Sequence, residues 1–146
     1  MRALADVMAA CRTRGVRLTP QRLAIFDYLV RNPGHPTAED VYQDVVAKHP
    51  TLSFATVYNT LELLVEMSEV RIVIVDELRR RYDVNTEPHQ HAICRRCRRI
   101  MDVRDNEIGD RLRSALAQVD LRSSDFTVEA ASVEFSGICG ACARQT

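Results

Sequence analysis

The residues best equipped for chemistry are cysteines. Cys94-Arg95-Arg96-Cys97 and Cys139-Gly140-Ala141-Cys142 form two C-x-x-C pairs separated by 41 residues. Each pair can grip a metal ion in a tight knuckle. Together they supply four thiolates, a closed tetrahedral set that suits structural zinc. Two disulfides are the competing use, but those belong to oxidising compartments. A thioredoxin-like pair would stand alone at a strand–helix junction and would not bracket a domain. Cys11 is left over and reads as a helix core residue.

The second constellation is His89-Gln90-His91, just before the first knuckle. On a strand, positions i and i+2 share a face, so both imidazoles can meet one ion. His35, Asp83 and Asp102 could complete that site, in competition with Glu87, Asp105, Glu107 and His49. Three imidazoles and two carboxylates would be neutral with a divalent ion and contain no sulfur. Such a set suits Fe(II) or Mn(II), and also cobalt, nickel or zinc. Five donors leave a sixth octahedral position open, and on Fe(II) that position admits peroxide. His35 and the His89–His91 pair fall in different halves of the chain, so one ion would clamp two domains.

Those residues must be positioned by two kinds of structure. The first half reads as helices. Ala3, Leu4, Val7, Met8 and Cys11 recur at helical spacing up to Gly15. Thr19-Pro20 is an N-cap with proline at the first helical position, and Leu23, Phe26, Leu29 and Val30 give that helix its buried face until Asn32-Pro33-Gly34. Thr37-Ala38-Glu39-Asp40 resembles a capping box, followed by the stripe Val41, Tyr42, Val45 and Val46 up to His49-Pro50. Ser53 caps a fourth helix with Val57, Leu61 and Leu64 on its inner face. Val70 to Val75 is β-branched and short, a strand. Asp76 to Arg79 is a turn and Arg80 to Val84 the returning strand. Helices followed by a hairpin is the order of a winged helix-turn-helix, which docks a helix in the major groove.

The chain changes character at Asn85-Thr86-Glu87-Pro88, giving an expected N-terminal domain over 1–84 and a C-terminal one over 85–146. The second holds strands at Ala92–Cys94 and Arg99–Val103 and a helix over 106–119. A further strand runs from Phe126, with a bulge at Ala130-Ala131. It is a small α/β unit with a limited core, which calls for a metal or a partner subunit.

At 146 residues and 46% hydrophobic, the chain can bury a core and is not a disordered tail. No apolar run approaches the roughly 20 residues of a membrane span. Asp6 lies where a signal peptide needs apolar residues, so a soluble cytoplasmic protein is expected. Net charge is zero, which excludes a uniformly basic DNA-coating protein but not a local basic face. Residues 1–31 balance to +4, 32–70 to −5 and 71–104 to +4. Of the 20 positive residues 19 are arginine, which suits phosphate forks and equally fits a GC-rich genome.

Gly15-Val16-Arg17-Leu18-Thr19-Pro20-Gln21-Arg22, His35-Pro36-Thr37-Ala38-Glu39-Asp40 and Ala55-Thr56-Val57-Tyr58-Asn59-Thr60-Leu61 resemble motifs of the ferric uptake regulator family. Arg81-Tyr82-Asp83, His89-x-His91-x-x-Cys94-x-x-Cys97, Ile100-Met101-Asp102 and the final C-x-x-C extend the resemblance over nearly the whole chain. The peroxide-responsive branch is the most similar. The resemblance implies an α+β protein with a winged-helix DNA-binding domain and a small α/β dimerisation domain. It implies one structural Zn(II) per subunit on the four cysteines. It also implies one regulatory Fe(II) or Mn(II) per subunit on His35, Asp83, His89, His91 and Asp102. Asp102 favours the peroxide branch, because iron-sensing members more often have glutamate there. The implied partners are a second subunit and double-stranded, palindromic operator DNA, with no membrane.

The chain also departs from the family pattern. Ser53 to Met67 has no basic residue and carries Glu62 and Glu66, where some relatives have arginine near position 62. Base contacts then fall to Thr56, Tyr58 and Asn59, and phosphate contacts to Arg17, Arg22, Arg79, Arg80 and Arg81. The glycine usual after this helix is replaced around Ser68-Glu69, which predicts a strained or longer turn. The expected function is a metal-dependent repressor, not an enzyme, that senses peroxide through oxidation of a ligand histidine. The alternatives are an iron- or manganese-uptake regulator blind to peroxide, a small zinc-dependent hydrolase and a zinc-stabilised adaptor.

Overall fold

The computed structural model describes residues 4–76, 79–104, 106–116, 118 and 133–145. The chain divides into two compact units, Met1–Glu87 and Pro88–Thr146. The sequence-based boundary fell three residues earlier. Among the described residues, no helix is long and apolar enough to cross a membrane.

The first unit runs α1 (Leu4–Thr13), α2 (Pro20–Arg31), α3 (Ala38–Val46), α4 (Phe54–Glu66), β1 (Arg71–Asp76) and β2 (Arg79–Asp83). The helix starts follow local chemistry. Thr19, Thr37 and Ser53 each accept a backbone N–H with their hydroxyls, filling donors that a helix N-terminus leaves unmet. Thr37 and Asp40 form a full capping box. After α1, Gly15 takes φ +68°, a conformation that costs glycine little. The α2 face differs from the sequence expectation: Ile25 is buried with Phe26 and Leu29, while Leu23 and Val30 are only half-buried. Val41, Val45, Val57, Leu61 and Leu64 close the core from α3 and α4, and Cys11 lies fully buried in it. Tyr82 of the hairpin and Val84 just after it join this core.

The turn after α4 has a specific geometry. Ser68 takes φ +58°. Its N–H donates to the Val65 carbonyl and that of Glu69 to the Leu64 carbonyl, both at 2.9 Å. These are the two bonds of a Schellman motif, with serine in the position glycine usually fills.

The second unit holds β3 (Gln90–Cys94), β4 (Ile100–Val103), α5 (Asn106–Leu116), β5 (Glu134–Gly137) and α6 (Gly140–Ala143). Its sheet order is β4-β3-β5, with β3–β4 antiparallel and β3–β5 parallel. The parallel pairing sets Cys94 opposite Gly137, so the chain leaving β5 delivers Cys139 to the first knuckle. The strand expected at 126–130, its bulge and Asp105 lie outside the described residues.

Candidate metal centres and nucleic-acid interface

The four cysteines of the second unit converge, with sulfur atoms all within 4.8 Å of one another. The Sγ atoms of Cys97 and Cys139 are 3.7 Å apart. Thiolates about 2.3 Å from a tetrahedral zinc lie about 3.8 Å from each other, so the cluster fits that ion. No disulfide links them. The backbone shapes the knuckle: the Arg98 N–H donates to the Cys94 carbonyl at 2.8 Å and Arg98 takes φ +60°. The Cys139 amide donates to Cys94 Sγ at 3.3 Å. That amide, followed by that of Cys97, pulls the Cys94 thiol down to about 6. Backbone donation from Cys142 also lowers Cys139. Burial pushes Cys142 up to about 12. Amide donors thus prepare one part of the cluster as thiolate, while Cys142 keeps its proton until a cation compensates the charge. Arg96 Nη1 donates to the Cys142 carbonyl at 2.9 Å, tying the two knuckles together.

The same unit gathers a second donor group. His91 and Asp102 are direct cross-strand partners on β3 and β4, so their side chains share a face. His89 lies just before β3 and turns its ring edge-on to that of His91, with the Nε2 atoms 2.9 Å apart. From Asp102 Oδ1 the distances are 3.7 Å to His89 Nε2 and 4.0 Å to His91 Nε2. Donors about 2.1 Å from one octahedral ion lie about 3.0–4.2 Å apart. The spacing fits a shared divalent ion.

The first unit carries a complementary pair. His35 Nε2 lies 3.9 Å from Asp83 Oδ1, and both side chains are almost fully buried. Neither residue lies on a helix. His35 sits in the loop before α3 at φ +57°, a region histidine enters more readily than most residues. Strand β2 fixes that loop from the side: the Tyr82 N–H donates to the Pro36 carbonyl at 2.9 Å, and Arg81 Nη1 donates to the His35 carbonyl at 3.0 Å. Asp83 is oriented in turn by the Asn85 N–H, which donates to Oδ1 at 2.8 Å. Of the competing ligands, Glu87 is exposed and Glu107 pairs with Arg111 at 3.4 Å.

The expected nucleic-acid residues divide by environment. Tyr58 and Asn59 are exposed on α4, whereas Thr56 is half-buried with its hydroxyl 2.8 Å from that of Ser53. Arg17 is exposed, and its carbonyl accepts from Arg22 Nη1 at 2.8 Å. The Arg79 side chain lies outside the described residues. Arg80 Nη1 is 3.2 Å from Glu62 Oε1 and 3.5 Å from the Tyr58 hydroxyl. Glu62 departs from the family pattern on α4, and no spacing in the sequence signals its pairing with Arg80.

Residues 13–131 match the model of the ferric uptake regulator family. The peroxide-responsive repressor PerR of Staphylococcus epidermidis is 34% identical over 142 residues, covering 97% of this chain and 91% of that one. The peroxide operon regulator of Bacillus subtilis is 35% identical over 142 residues, covering 97% and 94%. The structure of the Helicobacter pylori ferric uptake regulator Fur, described as revealing three functional metal binding sites, matches with a TM-score of 0.78 over 97% of this chain and 95% of that one. At 20% identity it speaks for the fold alone. The family match and two full-length relatives above 30% identity agree with the paired metal-binding clusters, and the protein belongs to the ferric uptake regulator family.

Proposed function

We propose that this chain is a homodimeric, cytoplasmic transcriptional repressor that grips a palindromic operator when Fe(II) or Mn(II) is bound, and that hydrogen peroxide is its signal. Residues 1–84 act as the winged-helix DNA-binding domain and 85–146 as the dimerisation and metal-binding domain. His35 and Asp83 from the first, with His89, His91 and Asp102 from the second, hold the regulatory ion. Cys94, Cys97, Cys139 and Cys142 hold Zn(II) and keep the second domain folded.

The observation that carries this reading is the composition of the two donor groups. One buried imidazole and one carboxylate stand on the first unit. Two imidazoles and one carboxylate stand on the second. Their sum is a sulfur-free set of the kind Fe(II) and Mn(II) prefer. Neither group alone has the five donors that such an ion can take, so binding both fixes one domain against the other. Iron, when bound, would supply the redox chemistry by which hydrogen peroxide gives one oxygen to a ligand histidine and leaves as water, and His35, His89 and His91 are the imidazoles that would hold it. A ligand histidine that gains oxygen loses donor strength, and the domains are released. Thr56, Tyr58 and Asn59 would face the bases, with Arg17, Arg22, Arg79, Arg80 and Arg81 toward phosphates. Arg22, Arg80 and Arg81 already have partners within the first unit, which weights the phosphate role toward Arg17.

The experiment is peptide mass spectrometry on zinc-containing protein loaded anaerobically with Fe(II) or Mn(II) and given stoichiometric peroxide. Operator binding is followed by anisotropy in the same samples. One added oxygen on the peptide holding His35, or on that holding His89 and His91, only with iron and with loss of DNA, is expected. Unmodified histidines in protein with bound iron would assign an iron- or manganese-uptake regulator that ignores peroxide. Absence of duplex binding with either metal would overturn the repressor reading.

A further inference from the structure

One feature of α4 is at odds with a helix destined for DNA. Its outward stripe holds the exposed Ala55, Tyr58, Asn59 and Glu66 with the half-buried Glu62 between them, while Val57, Thr60, Leu61 and Leu64 face the core. Glu62 follows Tyr58 by four residues and Asn59 by three, so it extends the same surface. A bare carboxylate there would be repelled by phosphates. It is not bare: Arg80 on β2 brings Nη1 within 3.2 Å of Oε1 and within 3.5 Å of the Tyr58 hydroxyl. The guanidinium neutralises the acid and fixes its direction, and Oε2 retains capacity to accept. In the major groove a carboxylate accepts from the N4 amino group of cytosine.

We propose that Glu62, oriented by Arg80, is a specificity-determining residue that reads one cytosine in each operator half-site. The inference rests on the repressor reading above. Arg80 is then a positioning residue and not a phosphate anchor. A brace between hairpin and helix would be indifferent to base identity, and that difference makes the role testable.

The test is selection from a random duplex pool with full-length, zinc-containing, Mn(II)-loaded protein. Wild type is compared with Glu62→Ala, Glu62→Gln and Arg80→Ala, each checked by thermal unfolding. Wild type is expected to retain a cytosine at one position of each half-site. Glu62→Ala should lose that preference, about tenfold in discrimination, while the rest of the selected sequence persists. Glu62→Gln, nearly isosteric, should turn the preference to adenine, because an amide pairs with N6 and N7. Arg80→Ala should weaken the cytosine preference and leave the salt slope unchanged, whereas a lost phosphate contact lowers it by about one. The same cytosine selected by Glu62→Ala or Glu62→Gln would overturn the inference. No sequence selected by wild type would overturn the repressor reading and this inference with it.

Discussion

Arg81 Nη1 donates to the backbone carbonyl of His35 at 3.0 Å, across 46 residues of sequence. Arg81 belongs to the β1–β2 hairpin and His35 to the loop before α3, so one hydrogen bond ties the two together. It also supports a histidine held at φ +57°. Asp83 lies two residues further along the same strand, so β2 orients both donors of the first unit.

Arg81→Ala should therefore loosen the regulatory site without touching the zinc cluster. Groups that orient metal ligands are worth about 10–100-fold in affinity, and the lower end is expected because the bond is to backbone. Titration with Mn(II) in zinc-containing protein should show about tenfold weaker binding, with zinc content unchanged. Unaltered Mn(II) affinity would refute the coupling.

Ser68→Gly should stabilise the first unit. A non-glycine residue in the left-handed region costs about 1 kcal/mol, partly offset by the extra freedom glycine gains when unfolded. The Schellman bonds from Ser68 and Glu69 are backbone bonds and survive the change. A rise in Tm of a few degrees is expected by calorimetry. Ser68→Val should lower it, because a β-branched residue fits φ +58° poorly.

Zinc affinity should rise with pH. Cys94 is held down to about 6 and Cys142 is pushed up to about 12. Near neutrality Cys94 is already a thiolate, but Cys142 must release a proton to bind. Metal uptake that expels protons strengthens as pH increases. Below about pH 6 Cys94 must also be deprotonated, so the dependence steepens there. Competition with a chromophoric chelator from pH 5 to 8 measures both regimes, and a flat profile would contradict the thiol assignment.

Leu61→Ala should be severe, because Leu61 is completely buried in the first-unit core. Such truncations cost about 2–5 kcal/mol. Urea unfolding should show a lower midpoint, while zinc content stays at the wild-type level.

Arg17→Ala should weaken binding to operator and to unrelated duplex alike. A lost phosphate contact lowers the slope of log affinity against log salt by about one per protomer. A change confined to one base position would instead place Arg17 at a base edge.

Features that depend on neighbouring residues were legible in the sequence. The caps at Thr19, Thr37 and Ser53 and the stop at Gly15 follow from short-range hydrogen bonding and φ restrictions, which the chain carries wherever it folds, whereas the sequence predicts the turn at Ser68-Glu69 only as strained or longer and the structure gives it its left-handed residue. The two C-x-x-C knuckles and the His89–His91 pair follow from fixed spacing in the same way. Tertiary structure alone decided which residues meet across long separations. It chose Ile25 over Leu23 for the α2 core, because the neighbouring helices set which part of a broad apolar stripe is covered. It paired β3 with β5 in parallel and so delivered the second cysteine pair. It gave Arg80 to Glu62 and Arg81 to the His35 carbonyl. An arginine fork has many acceptors within reach of its long side chain, and only the packed hairpin selects among them.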